Sequence, residues 1–382
     1  MIYLDHAATS PVRREALEAM WPYLTGDFGN PSSHHSLGES AAAGLEAARR
    51  TVAGVLGGRA AGVVFTGSGT EADNLAVKGI ALGAPRGRHL ITTTLEHEAV
   101  LASVDHLVRV HGFTADHLTP DEHGLVSPDE LAALIRPDTA LVSVQYANNE
   151  IGTVQPVAEL AAVARRHRVP FHTDAVQAAG WLDLDVEALG VDALSLSGHK
   201  VGAPKGVGVL WARSRLALEP VVHGGGQERG RRSGTENVAG AVALATALAA
   251  AEAERADVAP RVRALRDLFI GQVLGAVPSA RLTGHPQWRL PGTASFVFAG
   301  THGEAVLLEL ERRGVICSSG SACAAGSDEP SHVLTALGMP AALAKTAVRF
   351  TFGPESTDRE ATLAAEAVRD AVAAVQGLQR TG

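Results

Sequence analysis

The sequence predicts an α/β protein in which a mostly parallel sheet is covered by helices. Two observations support this prediction. Short apolar, β-branched runs alternate with helical patterns through most of the chain, a rhythm typical of a parallel sheet with helices on both faces. Beyond residue 256 the pattern changes to a less regular mixture, which indicates a smaller α+β domain. With 382 residues, the chain is long enough to bury both cores.

The elements follow from the periodicity in chain order. In the large domain, strands are predicted over residues 63–66, 89–93, 140–146, 169–172, 192–197 and 206–211, and helices over residues 40–56, 70–82, 97–110, 127–135 and 156–168. A long helix over residues 235–255 leads to a predicted hinge at residues 256–260. The smaller domain is predicted to contain helices over residues 261–277, 303–313 and 357–375 and strands over residues 293–299 and 347–352.

Composition and charge exclude several classes of protein. Apolar residues make up 46% of the chain and charged residues 19%, as in an ordinary globular protein. The net charge of −8, without a long basic run, gives no nucleic-acid footprint. The longest apolar stretch, residues 238–253, is too short for a membrane span. No signal peptide pattern opens the sequence, and its two cysteines form no CxxC motif, so we expect a cytoplasmic protein without a metal site.

An acid and an amine follow two of the predicted strands. Asp174 ends the run 169–174, and Lys200 follows the strand at 192–197; it is one of only four lysines. Ligands of open α/β sheets gather at the carboxyl ends of the strands, so both groups are expected to face one crevice. Pyridoxal phosphate (PLP) requires an amine for its aldehyde and an acid for its ring nitrogen. The pair therefore predicts a PLP site.

A glycine-rich turn supplies a candidate phosphate site. The strand at 63–66 is followed by Gly67-Ser68-Gly69 and then by a predicted helix that starts at Thr70. A helix N-terminus offers free backbone amides and a positive dipole end to an anion. The Thr70 hydroxyl is expected at the capping position of this helix.

The chain resembles the cysteine desulfurases of the NifS/IscS type, which are class V, fold-type I PLP enzymes. The matching motifs extend over about 350 residues. They are YLDHAAT (3–9), GNPSS (29–33), TEADN (70–74), EH (96–97), NNEIG (148–152), HTDAVQ (172–177), SGHK (197–200), GGGQE (224–228), RSGTE (232–236), SSGSAC (318–323), PSHV (330–333) and RF (349–350).

The resemblance implies a role for each candidate site residue. Lys200 would carry the cofactor as an internal aldimine and later shuttle a proton. Asp174 would pair with the ring nitrogen and Gln177 would bond the phenolic oxygen, while His97 would stack on the ring and, as a catalytic residue, transfer protons. The phosphate would be held by Thr70, Ser197 and His199 and by Thr235 of the other subunit of a homodimer. Asn149 and Arg349 would bind the substrate carboxylate, for which a planar guanidinium is suited.

The resemblance also implies a domain division. Residues 14–256 would form the large PLP-binding domain. Residues 1–13 and 257–382 would form the small domain that carries the catalytic cysteine loop.

Cys323 lies in a small, polar, glycine-bearing segment, residues 318–327, whose composition predicts an exposed and mobile loop. As a thiolate, Cys323 would attack the sulfur of L-cysteine, take it as a persulfide and leave L-alanine. The sulfur would pass to an acceptor protein for iron–sulfur cluster assembly or thiolation of tRNA or another cofactor. Cys317, after an apolar strand pattern, is expected to be a buried structural thiol.

Two alternatives remain open at the level of sequence. Another PLP reaction, such as transamination, β-lyase cleavage or selenocysteine lysis, would need Lys200 and Asp174 but no nucleophilic Cys323. A regulatory or scaffold subunit without catalysis would usually show a broken site, whereas this chain keeps the full set of candidate residues. Substitution of Cys323 separates the first alternative from a desulfurase.

Overall fold

A computed structural model describes residues 1–83, 86–320 and 329–380. Its centre is a seven-stranded sheet that is mostly parallel, as predicted. The order of strands is β2 (Val63–Thr66), β8 (Gly208–Ala212), β7 (Ala193–Ser197), β6 (Phe171–Asp174), β5 (Thr139–Ser143), β3 (His89–Thr93) and β4 (Thr114–Leu118). The five strands from β4 to β7 run parallel, whereas β8 is antiparallel to both β7 and β2.

Helices cover this sheet and bury its side chains on both faces. Most of its strands have every residue buried, which explains why they read as short continuous apolar runs. The helices of this part are α1 (Arg14–Thr25), α2 (Ser36–Val55), α3 (Gly69–Gly83), α4 (Glu98–His111), α5 (Pro128–Leu134), α6 (Val157–Arg166) and α7 (Val186–Leu189).

A second hydrophobic core forms around an antiparallel sheet near the end of the chain. That sheet has the order β12 (Ala347–Thr351), β10 (Thr293–Phe298) and β9 (Ala280–Leu282). A two-stranded pair joins β1 (Ile2–Tyr3) to β11 (Val315–Ile316) in parallel. The accompanying helices are α9 (Gly303–Arg312), α10 (His332–Ala336), α11 (Ala341–Ala344) and α12 (Asp358–Arg380). Leu4 belongs to this core, so the N-terminal segment packs against the last third of the chain.

The predicted break between a helix at residues 235–255 and another at residues 261–277 is wrong, whereas a hinge between the domains at residues 256–260 remains a prediction. A single helix, α8 (Val238–Ala276), runs through this region and contains Pro260. Its first half packs into the core of the large sheet, through residues such as Leu244 and Leu248, and its second half packs into the other core through Val262 and Phe269. Burial at both ends stabilises the continuous helix despite the proline. The division into domains at residues 14–256 remains a prediction.

In the part of the chain that the structure describes, no helix is both long enough and apolar enough to span a bilayer.

Candidate active site

The acid and the amine predicted from the sequence lie at the same edge of the large sheet. Asp174 is the last residue of β6, which pairs in parallel with β7, and Lys200 closes a short 3-10 turn directly after β7. Gly202 has φ of 89°, a left-handed conformation that favours glycine and turns the chain away from the site. The expected meeting of Asp174 and Lys200 follows from this parallel pairing.

The Asp174 carboxyl group is almost fully shielded from solvent and lies near other acidic side chains. It is 7% exposed, and its Oδ1 accepts a hydrogen bond from Val176 N at 2.8 Å. Burial raises the pKa of Asp174, although the Val176 amide and the charges of His97 and Lys200 counteract this effect.

Two further buried carboxyl groups surround Asp174. Burial and the charge of Asp174 raise the pKa of Asp73 and of Glu96 well above the ordinary values. Asp73 Oδ1 and Glu96 Oε2 are buried and have no hydrogen-bond partner among the described residues. The charges of His97 and Lys200 only partly offset the burial of Asp174, so a further positive charge, such as the protonated ring of PLP, fits beside this carboxyl group.

The phosphate corner forms where α3 approaches the ends of β6 and β7. A Cβ built at Gly69 would lie 3.0 Å from Ser197 Cβ and 3.0 Å from Val176 Cγ2, so only glycine allows this approach without displacement. The free amides of the first turn of α3 are therefore next to Ser197. Thr70 lies in that turn and is exposed. These groups suit a phosphate.

The hydroxyl cap of α3 comes from Ser68, contrary to the expectation for Thr70. Ser68 Oγ accepts a hydrogen bond from Glu71 N at 3.1 Å. The helix begins at Gly69, one residue earlier than predicted, which places Thr70 inside the first turn. Thr70 as a phosphate ligand remains a prediction.

His199 and Gln177 both contact the N-terminal segment of the chain. His199 Nδ1 lies 3.1 Å from Thr9 Oγ1, and Gln177 Nε2 donates to Ala7 O at 3.1 Å. Burial, together with Lys200, lowers the pKa of His199 to about 4, so its imidazole is neutral at physiological pH.

His97 is the N-cap residue of α4. Its Nδ1 accepts a hydrogen bond from Ala99 N at 3.1 Å, so the side chain caps the helix locally. His97 is also close enough to Asp174 to lower the pKa of that carboxyl. Ring stacking by His97 remains a prediction.

The two residues predicted to bind the substrate carboxylate are in contact. Arg349, in β12, is 1% exposed and donates from Nη1 to Asn149 O at 2.8 Å. Its Nη2 donates to Asp5 Oδ1 at 2.9 Å, and its buried Nε has no partner among the described residues. Asp5 thus holds one side of the guanidinium. The sequence motif at residues 3–9 contained Asp5, but nothing local indicated its partner 344 residues away.

Residues from both cores line an open cleft beside Lys200. The large sheet contributes Gln177 and Lys200, and the other core contributes Thr293 and Phe352, while His6 comes from the N-terminal segment. The cleft therefore lies where the two cores meet, a usual position for a ligand site.

Thr235 and the cysteines complete the set of predicted residues. Thr235 is exposed on the segment before α8, and none of the described contacts joins it to Ser197 or His199. Cys323 lies outside the described residues. Cys317 is a free thiol that is partly rather than fully buried, and burial raises its pKa above the ordinary value.

Comparison with known proteins gives one consistent result. The chain matches the aminotransferase class-V family over residues 2–363. It is 45% identical over 380 residues to an IscS-like cysteine desulfurase of Mycobacterium tuberculosis, with 98% of this chain and 96% of the relative covered. It is 44% identical over 374 residues to cysteine desulfurase IscS of Methanosarcina thermophila, with 97% and 92% covered.

The solved structures agree with the sequence relatives. A NifS-like protein superposes with a TM-score of 0.90 at 34% identity and covers 97% of this chain and 98% of its own. Proteins of this class depend on PLP, for which Asp174, Lys200 and the phosphate corner are suited. The chain belongs to the class-V aminotransferase family, within its cysteine desulfurases of the NifS/IscS type.

Proposed function

We propose that this protein is a PLP-dependent cysteine desulfurase, which converts L-cysteine to L-alanine and transfers the sulfur to Cys323. One observation carries the proposal. The Asp174 and Lys200 pair is linked to the Arg349 and Asn149 pair through the N-terminal segment, which bonds Lys200 at one end and Arg349 at the other. The relatives named cysteine desulfurase IscS support the choice of reaction.

Different residues of the chain would bind the substrate, bind the cofactor and transfer the proton. Arg349 and Asn149 hold the substrate carboxylate. Of the five N–H groups of the guanidinium, one on Nη1 bonds Asn149 O and one on Nη2 bonds Asp5, while the buried Nε has no partner among the described residues and is a donor for the carboxylate. Asp174 keeps the ring nitrogen of the cofactor protonated. Lys200 anchors the cofactor and moves the proton at the substrate Cα. When bound, PLP supplies the electron-accepting ring on which these bond changes depend.

Cys323 is proposed as the sulfur acceptor within the chain. Its thiolate attacks the sulfur of the substrate, so that a sulfur–sulfur bond forms and the Cβ–S bond breaks. The electron pair of the broken bond stays with the substrate carbon, which takes a proton and leaves as L-alanine. Ser318, five residues before Cys323, pairs its backbone with Arg349, with Arg349 N donating to Ser318 O at 2.7 Å. The chain therefore enters the Cys323 segment next to the proposed carboxylate site.

The proposal includes a homodimer, a sulfur acceptor and a cytoplasmic location. Thr235 is exposed on a segment that would complete the phosphate site of the second subunit. The Cys323 persulfide would pass its sulfur to a separate protein for iron–sulfur cluster assembly or for thiolation of tRNA or another cofactor. Two cysteines, of which Cys317 is a free thiol, suit a reducing compartment.

The test measures alanine and sulfide together in purified protein supplied with PLP, L-cysteine and a reductant. Wild-type protein is expected to form both in equal amounts, and Cys323→Ala is expected to form neither. Cys317→Ala is the matched control and should retain activity, because this thiol is protonated and packed against the second core. Sulfide with pyruvate in place of alanine from Cys323→Ala would identify a β-lyase and refute the proposal.

A further inference from the structure

The N-terminal strap, which we define as residues 5–10, is a turn held at several points. Tyr3 Oη donates towards Asp5 O at 3.1 Å and Thr9 O at 2.8 Å and so closes the turn. Ala7 N donates to Thr351 Oγ1 at 2.9 Å, and Ser10 Oγ donates to His199 O at 2.8 Å. The strap is therefore fixed both to β12 and to the turn that carries Lys200.

Two consecutive carbonyl groups of the strap converge on one amine. Lys200 Nζ donates to Ala7 O at 2.5 Å and to Ala8 O at 2.9 Å. Neighbouring carbonyls of an extended chain point in opposite directions, so their convergence requires the turn conformation of the strap. Ala8 N and Thr9 N both donate to Asp5 O, which defines that turn. The contact depends on the shape of the backbone and not on the alanine side chains.

A docking position for Lys200 has a chemical purpose. If the protein works as proposed above, the substrate amine replaces Lys200 on the cofactor once in every turnover. The released amine must then stay within reach of the substrate Cα, because a long, free lysine side chain would lose its orientation. An ammonium has three N–H donors and no acceptor, so backbone carbonyls are suitable partners.

We propose that the Ala7 and Ala8 carbonyls form the docking site of the Lys200 ammonium whenever Lys200 is not bonded to the cofactor. The strap is then a positioning element for proton transfer. It acts through the main-chain carbonyl groups of Ala7 and Ala8, and Ala7 also lines the cleft beside Lys200. This inference rests on the proposed function for its purpose, but the docking itself is a property of the cofactor-free protein.

The reactivity of Lys200 in cofactor-free protein tests the docking directly. Reductive methylation with formaldehyde and a borohydride modifies only the N-terminus and four lysines. Mass spectrometry of the peptides then gives the rate at Lys200 relative to Lys205, which is exposed and serves as the internal reference. Protection of Lys200 relative to Lys205 is expected in wild-type protein.

Two variants loosen the strap without changing the carbonyl groups. Tyr3→Phe removes the hydroxyl that closes the turn, and Thr9→Val removes the hydroxyl next to His199 Nδ1. Each is expected to raise the relative rate at Lys200 about fivefold, the effect of one hydrogen bond of about 1 kcal/mol. Tyr23→Phe is the matched control in α1 and should leave the rate unchanged. A cooperative urea transition with an unchanged m-value verifies that each variant is folded.

A second readout follows in the PLP-loaded enzyme. Tyr3→Phe is expected to lower kcat while KM for L-cysteine and the bound cofactor content stay the same, as expected when only a proton-transfer group is displaced. Unchanged reactivity of Lys200 in both variants would overturn the docking, and raised reactivity with unchanged kcat would overturn its role in turnover. If wild-type protein made no alanine but Lys200 showed strap-dependent protection, the docking would stand and the desulfurase proposal would fail.

Discussion

Breaking the ion pair between Arg49 and Glu228 should destabilise the protein strongly. Arg49 Nη1 and Nη2 donate to the two carboxylate oxygens of Glu228 at 2.7 and 2.9 Å, and the side chains are 3% and 2% exposed. The same groups bond the edge strand β2, because Phe65 N donates to Glu228 and Arg49 donates to Val63 O. One ion pair therefore joins α2, β2 and the loop that precedes Thr235.

The expected loss of stability follows from the burial of the Arg49 and Glu228 side chains. Glu228→Gln keeps the shape of the side chain but removes the buried counter-ion of Arg49, whose other ionic partner, Glu46, is 44% exposed and lies 2.9 Å from Arg49 Nε. Because Glu46 still faces the cation, we expect a cost of about 3 kcal/mol, the lower end of the range for a broken buried pair. That is a large part of a typical unfolding free energy of about 5–15 kcal/mol. The pair also holds the backbone of Glu228 and Arg229 at φ of 48° and 60°, values that residues other than glycine rarely adopt. We expect the loop to relax when the pair is broken, which should weaken cofactor binding as well.

Urea unfolding of cofactor-free protein at a fixed protein concentration measures the effect through the midpoint at constant m-value. Arg14→Ala breaks an exposed pair with Glu18 on α1 and should leave the midpoint unchanged. The double variant Arg49→Met/Glu228→Leu should lose less stability than the sum of the two single variants, because it leaves no buried charge unpaired and affects otherwise only the half-exposed Glu46. A midpoint of Glu228→Gln equal to that of wild type, or strictly additive single variants, would refute the reasoning.

Three other predictions concern ionisation and substrate binding. Burial lowers the pKa of His172 to about 3, below its ordinary value of 6.5, so folding favours the neutral ring. The contribution of this neutral ring to the free energy of unfolding is present above pH 6.5 and is lost as the pH falls towards 3. The urea midpoint of His172→Gln should therefore fall less between pH 7 and pH 5 than that of wild type, and equal slopes would contradict this. In a Cys323→Ala background, iodoacetamide at pH 8 should alkylate Cys317 slowly in native protein and rapidly in urea, because burial raises the pKa of this thiol; equal rates measured by mass spectrometry would show that it is accessible. Arg349→Lys should raise KM for L-cysteine by roughly 10-fold to 100-fold, because lysine lacks the planar pair of donors. An unchanged KM in steady-state assays would move the carboxylate site elsewhere.

Local patterns in the sequence were sufficient for most of the central sheet. The predicted strands at residues 63–66 and 89–93 match β2 and β3, since a continuous apolar run bounded by turn residues reports burial on both faces. The sequence did not indicate β4, an edge strand whose residues are mostly exposed or half-buried, nor α1, which exposes Leu17, Trp21 and Leu24. These elements lack the burial contrast on which periodicity depends.

The sequence by itself determined the family and the fold class and predicted the residues proposed to carry the chemistry, because strand ends, a glycine turn and a lysine–aspartate pair are local features. Only the tertiary structure decided which distant groups support them. The Ala7 carbonyl meets Lys200 across 193 residues, and Arg49 meets Glu228 across 179. Asp73 in α3 and Glu96 in the turn before α4 both lie near Asp174 at the end of β6, because separate parts of the chain meet there. No periodicity encodes such contacts, since they depend on how the chain crosses itself once both cores are packed.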